Sequence, residues 1–543
     1  MCRLYSYIIG TFLCSMLCWI SVADATVADS PIDLPTLVAE LPQAGLKEMP
    51  SLTEKLADSG DPRVRNIFKY LLEGDLYYVK SDKRVVWVQR QPDGLYALQD
   101  ILSDEQLTPQ PKSAITKIRT NNNLRSQLRG LLAQIDFTHP DANVRLQAVK
   151  QILDNPDEGA TRRLQYLIGI EQNDDVKQLM NTAIAVRQLK TGNSQQKRAA
   201  IKIVTSSLEP SVKNVMAAEL RHIDKDDTEL KQALEGAIDR IENKRAFYEF
   251  IENVFFGLSL GSVLLLAAIG LAITFGVMGV INMAHGEMIM LGAYTTYAVQ
   301  QFFPELLTYS LLIAVPAAFV VSGGMGVVIE RCVIRFLKGR PLETLLATFG
   351  ISLILQQLVR SVFSPLNRQV NSPDWMSGSW QINPIFSLTY NRLYILLFSL
   401  AVFFILMLIM NKTSLGLHVR AVSQNRQMAR ALSIRSNRVD AITFGLGSGI
   451  AGIAGVVLSQ LTNVGPNMGQ SYIIDSFLVV VFGGVGNLWG TLLAAMSLGS
   501  INKFLEPLTG SVLASILVLI GLILFMQKRP QGLFPLKGRA AES

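Results

Sequence analysis

Cysteine is scarce where a crosslink could matter. Of four cysteines in 543 residues, Cys2, Cys14 and Cys18 fall within the first eighteen positions, and Cys332 stands alone in the rest. That excludes an internal disulfide beyond the leader, so the chain must hold together by packing. No G-x-x-x-x-G-K-[ST] string occurs, so no P-loop can cradle ATP phosphates, and any ATP-driven work needs another chain. H-E-x-x-H and paired-cysteine metal motifs are missing too, and His139, His222 and His418 are scattered as surface or packing residues. Charge is thin in the rear portion. Residues 246 to 543 hold 18 Lys+Arg and 11 Asp+Glu, while residues 1 to 245 hold 32 of each, so the rear carries the whole net +7. A basic balance can signal nucleic acid, but these cations sit in short loops between apolar runs, as membrane topology requires.

The first 25 residues read as a secretory signal: Arg3 in a polar start, a mostly apolar Ile8 to Val22, and Ala23-Asp24-Ala25 as a small-x-small cleavage site. A first membrane anchor is the other reading. Residues 26 to 245 are densely charged and helical in pattern. Leu146, Val149 and Leu153, then Leu164, Leu167 and Ile168, recur at three- and four-residue spacing. A short theme opens such helices: Asp61-Pro62-Arg63-Val64-Arg65, Asp141-Ala142-Asn143-Val144-Arg145 and Asp174-Asp175-Val176-Lys177. An Asp cap, a buried Val and an exposed cation suit stacked HEAT-like repeats or an unrelated helical bundle. Leu76 to Val79 and Arg84 to Val88 read as a β-hairpin.

After Lys244-Arg245 come apolar runs near 252–275, 277–299, 310–332, 343–363, 391–411, 439–463, 473–488, 490–505 and 511–527, each judged against about 20 residues per crossing. The stretch 473–505 reads as two short spans or one re-entrant element. The expected fold class is therefore all-α, a polytopic membrane domain over 246–530 behind an exported helical domain. Loops after the third and fifth spans, with the tail 531–543 and its flank, hold 14 of the 18 rear cations. The loop 364–390 carries only Arg368, with Trp375 and Trp380 as interface anchors. The cationic side is cytoplasmic, which puts residue 246 outside and the tail inside, as a secretory signal also demands.

Polar groups inside hydrocarbon need a partner or a wet path. Asn282, His285 and Glu287 interrupt an apolar run, and with Thr348 and Asp475 they are the candidate path residues. On a regular helix Asn282 and His285 share a face, while Glu287 lies about 200° from His285, free to pair with a neighbouring helix. Gly257-Leu258-Ser259-Leu260-Gly261 and Gly447-Ser448-Gly449-Ile450-Ala451-Gly452 mimic hydrolase and dinucleotide motifs. Both lie in apolar helices without strand–turn–helix context, so they read as close-packing stripes, and Ser259 has no evident catalytic partner.

The segment 412–438 contains six cations and no acid. Val419, Val422, Met428, Ala431 and Leu432 can form one apolar stripe, with Arg420, Arg426 and Arg430 projecting elsewhere, so this helix either lies on anionic lipid or docks into a partner's groove.

Gly276 to Glu287 with Leu291-Gly292-Ala293-Tyr294 resembles the signature of the branched-chain amino-acid family of ABC-transporter permeases. Glu330-Arg331, Leu346 to Ser352, Arg420 to Leu432, Phe482 to Gly486 before Trp489-Gly490, and Arg529 to Leu533 extend the likeness across about 250 to 535. Asp75 to Asp82 resembles the extension of the urea-transporting branch. Ser433 departs from the family, which usually has glycine near there. The resemblance implies a permease subunit of an ATP-driven importer in a bacterial inner membrane, for urea or else branched-chain amino acids. It implies a second homologous permease, two cytoplasmic ATPases that bind the ATP, a periplasmic solute-binding protein and surrounding lipid, with no cofactor, metal or nucleic acid of its own. It also makes Arg420, Asn425, Arg426, Met428 and Leu432 the ATPase-coupling residues.

Overall fold

The computed structural model describes residues 33–91, 95–153, 156–223 and 227–534, so the leader read at 1–25 and the end of the tail lie outside it. The chain divides into two compact units, with the boundary between Ile241 and Glu242.

The first unit is helical, but not wholly so. Helices Leu34–Glu40, Met49–Asp58 and Val64–Glu73 precede five strands: β1 Leu76–Val79, β2 Val85–Arg90, β3 Tyr96–Asp100, β4 Gln106–Gln110 and β5 Ile115–Lys117. These form one antiparallel sheet in the order β4-β3-β2-β1-β5. The hairpin read at 76–88 is real, with Leu76 opposite Trp87 and Tyr78 opposite Val85, yet it is only the middle of a larger sheet. This corrects the all-α expectation. Strands β3 to β5 are short and carry Gln, Thr and Pro, which hides period-two alternation. Trp87 stacks on Tyr70 at 5.1 Å between ring centroids, seating the sheet on Val64–Glu73.

Among the described residues, six helices lie wholly between the sheet and the unit boundary, from Asn122–Asp136 through Ala142–Ile152, Glu158–Leu167, Asp174–Thr191 and Ser194–Val204 to Pro210–His222, and Thr228–Met278 begins before it. Val149, Leu153, Leu164 and Leu167 are all buried, as their spacing predicts. The opening theme holds in part. Asp141 caps Ala142–Ile152 by accepting from the Asn143 N–H, but Asn173, not Asp174, caps the helix that follows it, accepting from Asp175 and Val176. Arg145 is also not a free surface cation: its Nε and Nη2 each lie 2.8 Å from a Glu171 carboxylate oxygen.

In the second unit the helix ending at Met278 (Thr228–Met278) leads into His285–Phe302, Ser310–Cys332, Pro341–Phe363, Tyr390–Lys412, Ser436–Ser459, Met468–Gly483, Leu488–Thr509 and Ser511–Lys528. Among the described residues, six helices are long and apolar enough to cross a membrane, where nine crossings are expected from the runs. The stretch 473–505 falls on two helices, Met468–Gly483 and Leu488–Thr509, joined at 484–487. Met468–Gly483 has 16 residues, about 24 Å at 1.5 Å per residue, short of a hydrocarbon core of about 30 Å.

Ser436–Ser459 is the hub, buried along nearly its whole length. A Cβ added at Gly292 would collide with the Gly452 backbone, one at Gly270 with the Gly447 carbonyl, and one at Gly286 with Gly469. The two enzyme-like strings are packing stripes as expected. A Cβ on Gly261 would sit 2.8 Å from the Ala495 carbonyl oxygen, and Gly449 fits against the Phe319 ring. Large apolar side chains of Tyr390–Lys412 and Ser511–Lys528 instead point away from the unit. In the loop 364–390, strands β6 (Ser379–Gln381) and β7 (Ser387–Thr389) form a small hairpin. Trp375 and Trp380 are partly exposed there, with Trp375 Nε1 donating to the Thr308 carbonyl.

Candidate translocation site

The polar cluster lies at a break between helices, not on a continuous one. Helix ends at Met278, Gly279 takes φ +64°, and the next helix begins at His285. This corrects the regular helix expected across 277–299, and with it the angular argument that placed Asn282 and His285 on one face. A left-handed residue stops a helix, and glycine adopts that conformation without a Cβ penalty.

Each candidate path residue has a distinct place. Asn282 is buried, its Oδ1 accepting from the Ala284 N–H at 3.0 Å and its Nδ2 without a partner among the described residues. It lines a cavity of about 250 Å³ with Leu271, Ile281, Met283, Leu345, Ile473, Ile474 and Phe477. Thr348 lies behind that wall, where its hydroxyl accepts from the Met283 N–H at 3.1 Å and pins the break to Pro341–Phe363. His285 turns the other way, its Nε2 2.8 Å from the Ala267 carbonyl oxygen and its ring packed where Gly270 leaves room. Glu287 joins the neighbouring helix: its Oε1 accepts from Ser352 at 2.8 Å and Gln356 at 2.7 Å, while Oε2 has no partner among the described residues. Asp475 is half-buried on Met468–Gly483, one position beyond the cavity-lining Ile474, and makes no hydrogen bond or ion pair to another described residue. The break therefore brings Asn282 to the cavity and Thr348 against its wall. His285 and Glu287 bind the elements around it. Sequence reading missed Ser352 and Gln356 as partners of Glu287, although Ser352 ends the Leu346 to Ser352 motif and Gln356 follows one turn later.

The arginine-rich segment is two helices, Ser414–Gln424 and Arg426–Ala431, with Asn425 between them. Asn425 caps the second, its Oδ1 accepting from the Met428 N–H at 2.9 Å. The single apolar stripe does not form. Val419 and Val422 are buried in the unit, whereas Met428 and Leu432 are 59% and 69% exposed and Ala431 is exposed as well. The kink at Asn425 turns the second helix, so residues that align on one wheel separate in space. Arg420 donates to the Met410 carbonyl. Arg426 does not project away: its guanidinium grips Asp440 at 2.6 and 3.1 Å.

A family described as the branched-chain amino acid transport system permease component matches residues 253–526. The chain belongs to this family. The permease is 29% identical over 297 residues to the high-affinity branched-chain amino acid transport system permease protein BraD of Pseudomonas aeruginosa, which covers 53% of this chain and 96% of that protein. The corresponding protein LivH of Escherichia coli K12 matches at the same identity and coverage. A shorter match of 138 residues, 30% identical, reaches the ribose import permease RbsC of Bacillus subtilis over 23% of this chain and 43% of that one. No solved structure matches. The permease is thus an ABC-type transporter subunit rather than an enzyme, with a membrane-spanning helical unit.

Proposed function

We propose that this permease forms the path of an ATP-driven importer for a small polar solute, and that the helix break at 279–284 is where the solute is read. The observation that carries this is Asn282, the one polar residue lining an otherwise apolar cavity, whose buried Nδ2 has no hydrogen-bond partner among the described residues. An unsatisfied donor in hydrocarbon costs several kcal/mol, so it persists where a solute or water completes it. A cavity of about 250 Å³ suits a solute smaller than the drug-sized ligands that fill about 300–1,000 Å³. A discontinuous helix also puts the positive end of a half-helix beside the solute, a common device in transporters.

Urea is the solute favoured by the Asp75 to Asp82 segment, with its likeness to the urea-transporting branch. Branched-chain amino acids are the second reading. They are favoured by the aliphatic wall of Leu271, Ile281, Leu345, Ile473 and Ile474, which would receive a branched side chain while Asn282 donates to a carboxylate. The permease works in a bacterial inner membrane with a second homologous permease, two cytoplasmic ATPases and an external binding protein. Its repeat-like front unit faces the periplasm and its tail the cytoplasm. The segment 414–434 meets the ATPase through the exposed Met428 and Leu432.

Uptake of labelled urea and labelled leucine, in cells lacking the chain and complemented with it, decides between the solutes. Asn282→Ala is expected to lower uptake of the true solute about tenfold or more, since a site built to hydrogen-bond its ligand leaves an unpaired group when the bond is lost. Wild-type uptake by Asn282→Ala would remove the site assignment.

A further inference from the structure

Four charges of the second unit meet away from the cavity. Asp440, at the start of Ser436–Ser459, has no side-chain exposure, and Glu330, near the end of Ser310–Cys332, has 1%. Lys338 bonds Asp440 and lies 3.6 Å from Glu330 Oε1, while Arg426 reaches Asp440 from the second short helix of the 414–434 segment. Two acids and two bases balance.

The two cations differ in what holds them. Lys338 follows a helix locked against Ser436–Ser459 by close glycine contacts, with Gly326 against Ser448 and Gly323 3.0 Å from the Gly445 carbonyl oxygen by its would-be Cβ. Arg426 sits on a six-residue helix whose Gln427, Met428, Arg430 and Ala431 are exposed. If that helix lifts away, the fully buried Asp440 keeps only Lys338, which it shares with Glu330. A buried charge without its partner is strongly unfavourable, so the cluster restores the docked position.

We propose that Asp440 is a positioning residue that ties the 414–434 segment to the transmembrane hub, with Lys338 as its fixed counter-charge and Arg426 as its releasable one. Arg426 then transmits movement of the segment to Ser436–Ser459, the helix that packs on His285–Phe302, instead of touching the ATPase itself. The proposal rests on the reading of 414–434 as the ATPase-coupling segment. The paired design also protects the fold. Arg426→Gln leaves Asp440 with Lys338, and Asp440→Asn leaves Lys338 with Glu330.

The test uses the assembled transporter in proteoliposomes and whichever of labelled urea or leucine the wild type takes up, reading ATP hydrolysed per solute moved. Arg426→Gln and Asp440→Asn are expected to retain the ATPase on purification and to raise that ratio about fivefold or more, within the range of coupled charge pairs. The double variant should be no worse than the worse single one, because one link is cut either way, and Arg426→Lys should recover most of the coupling. A wild-type ratio in the single variants, loss of the ATPase from them, or effects that multiply in the double variant would overturn the latch. Met428→Asp separates the two ideas. If it keeps the ATPase bound, the segment is not the docking surface and the latch falls with it. If it sheds the ATPase while Arg426→Gln transports at the wild-type ratio, the docking surface stands and only the latch is lost.

Discussion

The two units solve helix packing with opposite materials. In the first, large aliphatic side chains fill the space between helices: Leu164, Met180, Val186 and Val204 are fully buried. In the second, the hub is held by backbones in contact, Gly292 on Gly452 and Gly270 on Gly447, while Leu508, Val512 and Leu524 stay more than half exposed. Water rewards burial of apolar area, so a soluble unit puts its bulk inside. Lipid does not distinguish a leucine from its own tails, so helices associate there by close approach and small residues do the joining. The same contrast governs charge. Arg145 and Glu171 pair one to one at a partly exposed site, whereas the fully buried Asp440 is held by both Lys338 and Arg426.

Enlarging a glycine in the second unit should do the most damage. Gly292→Leu forces apart backbones that already touch, at or beyond the ~1–3 kcal/mol typical of overpacking. The expected result is loss of monodisperse protein in detergent, and normal behaviour would break the contrast. The reciprocal change, Leu164→Ala, opens a cavity in the first unit and should cost about 3 kcal/mol, read by hydrogen exchange of Glu158–Leu167 in the full chain.

Arg145→Gln comes next, at about 2 kcal/mol, since it strands the nearly buried Glu171 at a site with some remaining solvent access. The Arg145 guanidinium, with the Asn173 and Gln172 backbone N–H groups, holds the Glu171 carboxyl below its ordinary 4.5, against the opposing effect of burial. A depressed carboxyl stabilises the fold fully above its unfolded value and loses that contribution as pH falls through the native one. Acid melting of the first unit should therefore begin below about pH 4.5 in the wild type. That acid-dependent step should shrink in Arg145→Gln, and equal acid sensitivity in both would count against the pair.

Periodicity made the helices of both units legible, because Leu164, Leu167 and their like sit where a 3.6-residue repeat puts them. The outer strands of the sheet were not legible, since Gln106 to Gln110 offers no apolar alternation to read. At the candidate site, polar residues in an apolar run marked the helix break, but their geometry could not be extrapolated. Gly279 ends the helix, so a wheel drawn through Asn282 describes a helix that is not there. The stripe through Val419 and Leu432 failed for the same reason at Asn425. Local periodicity carries no information about where a helix is interrupted, and both interruptions fall at segments proposed to be functional. Partners distant in sequence, such as Asp440 for Arg426 or Gln356 for Glu287, appear only once the helices pack.

The smallest expected effect concerns a position that is unusual in backbone. Ser433 adopts φ +66° just after the second short helix. Non-glycine residues meet their own carbonyl in that conformation, at roughly 1–2 kcal/mol, part of which serine's small polar side chain avoids. Its N–H bonds the Arg430 carbonyl, and Ile434 bonds Ala429, so the turn is a closed helix end that suits glycine. Ser433→Gly should thus stabilise the end of the segment by at most about 1 kcal/mol, less the entropy glycine loses on folding. Hydrogen exchange at Arg426–Ala431 should slow by a few-fold without a change in ATPase binding. Faster exchange would mean that the serine hydroxyl contributes more to this turn than its backbone strain removes.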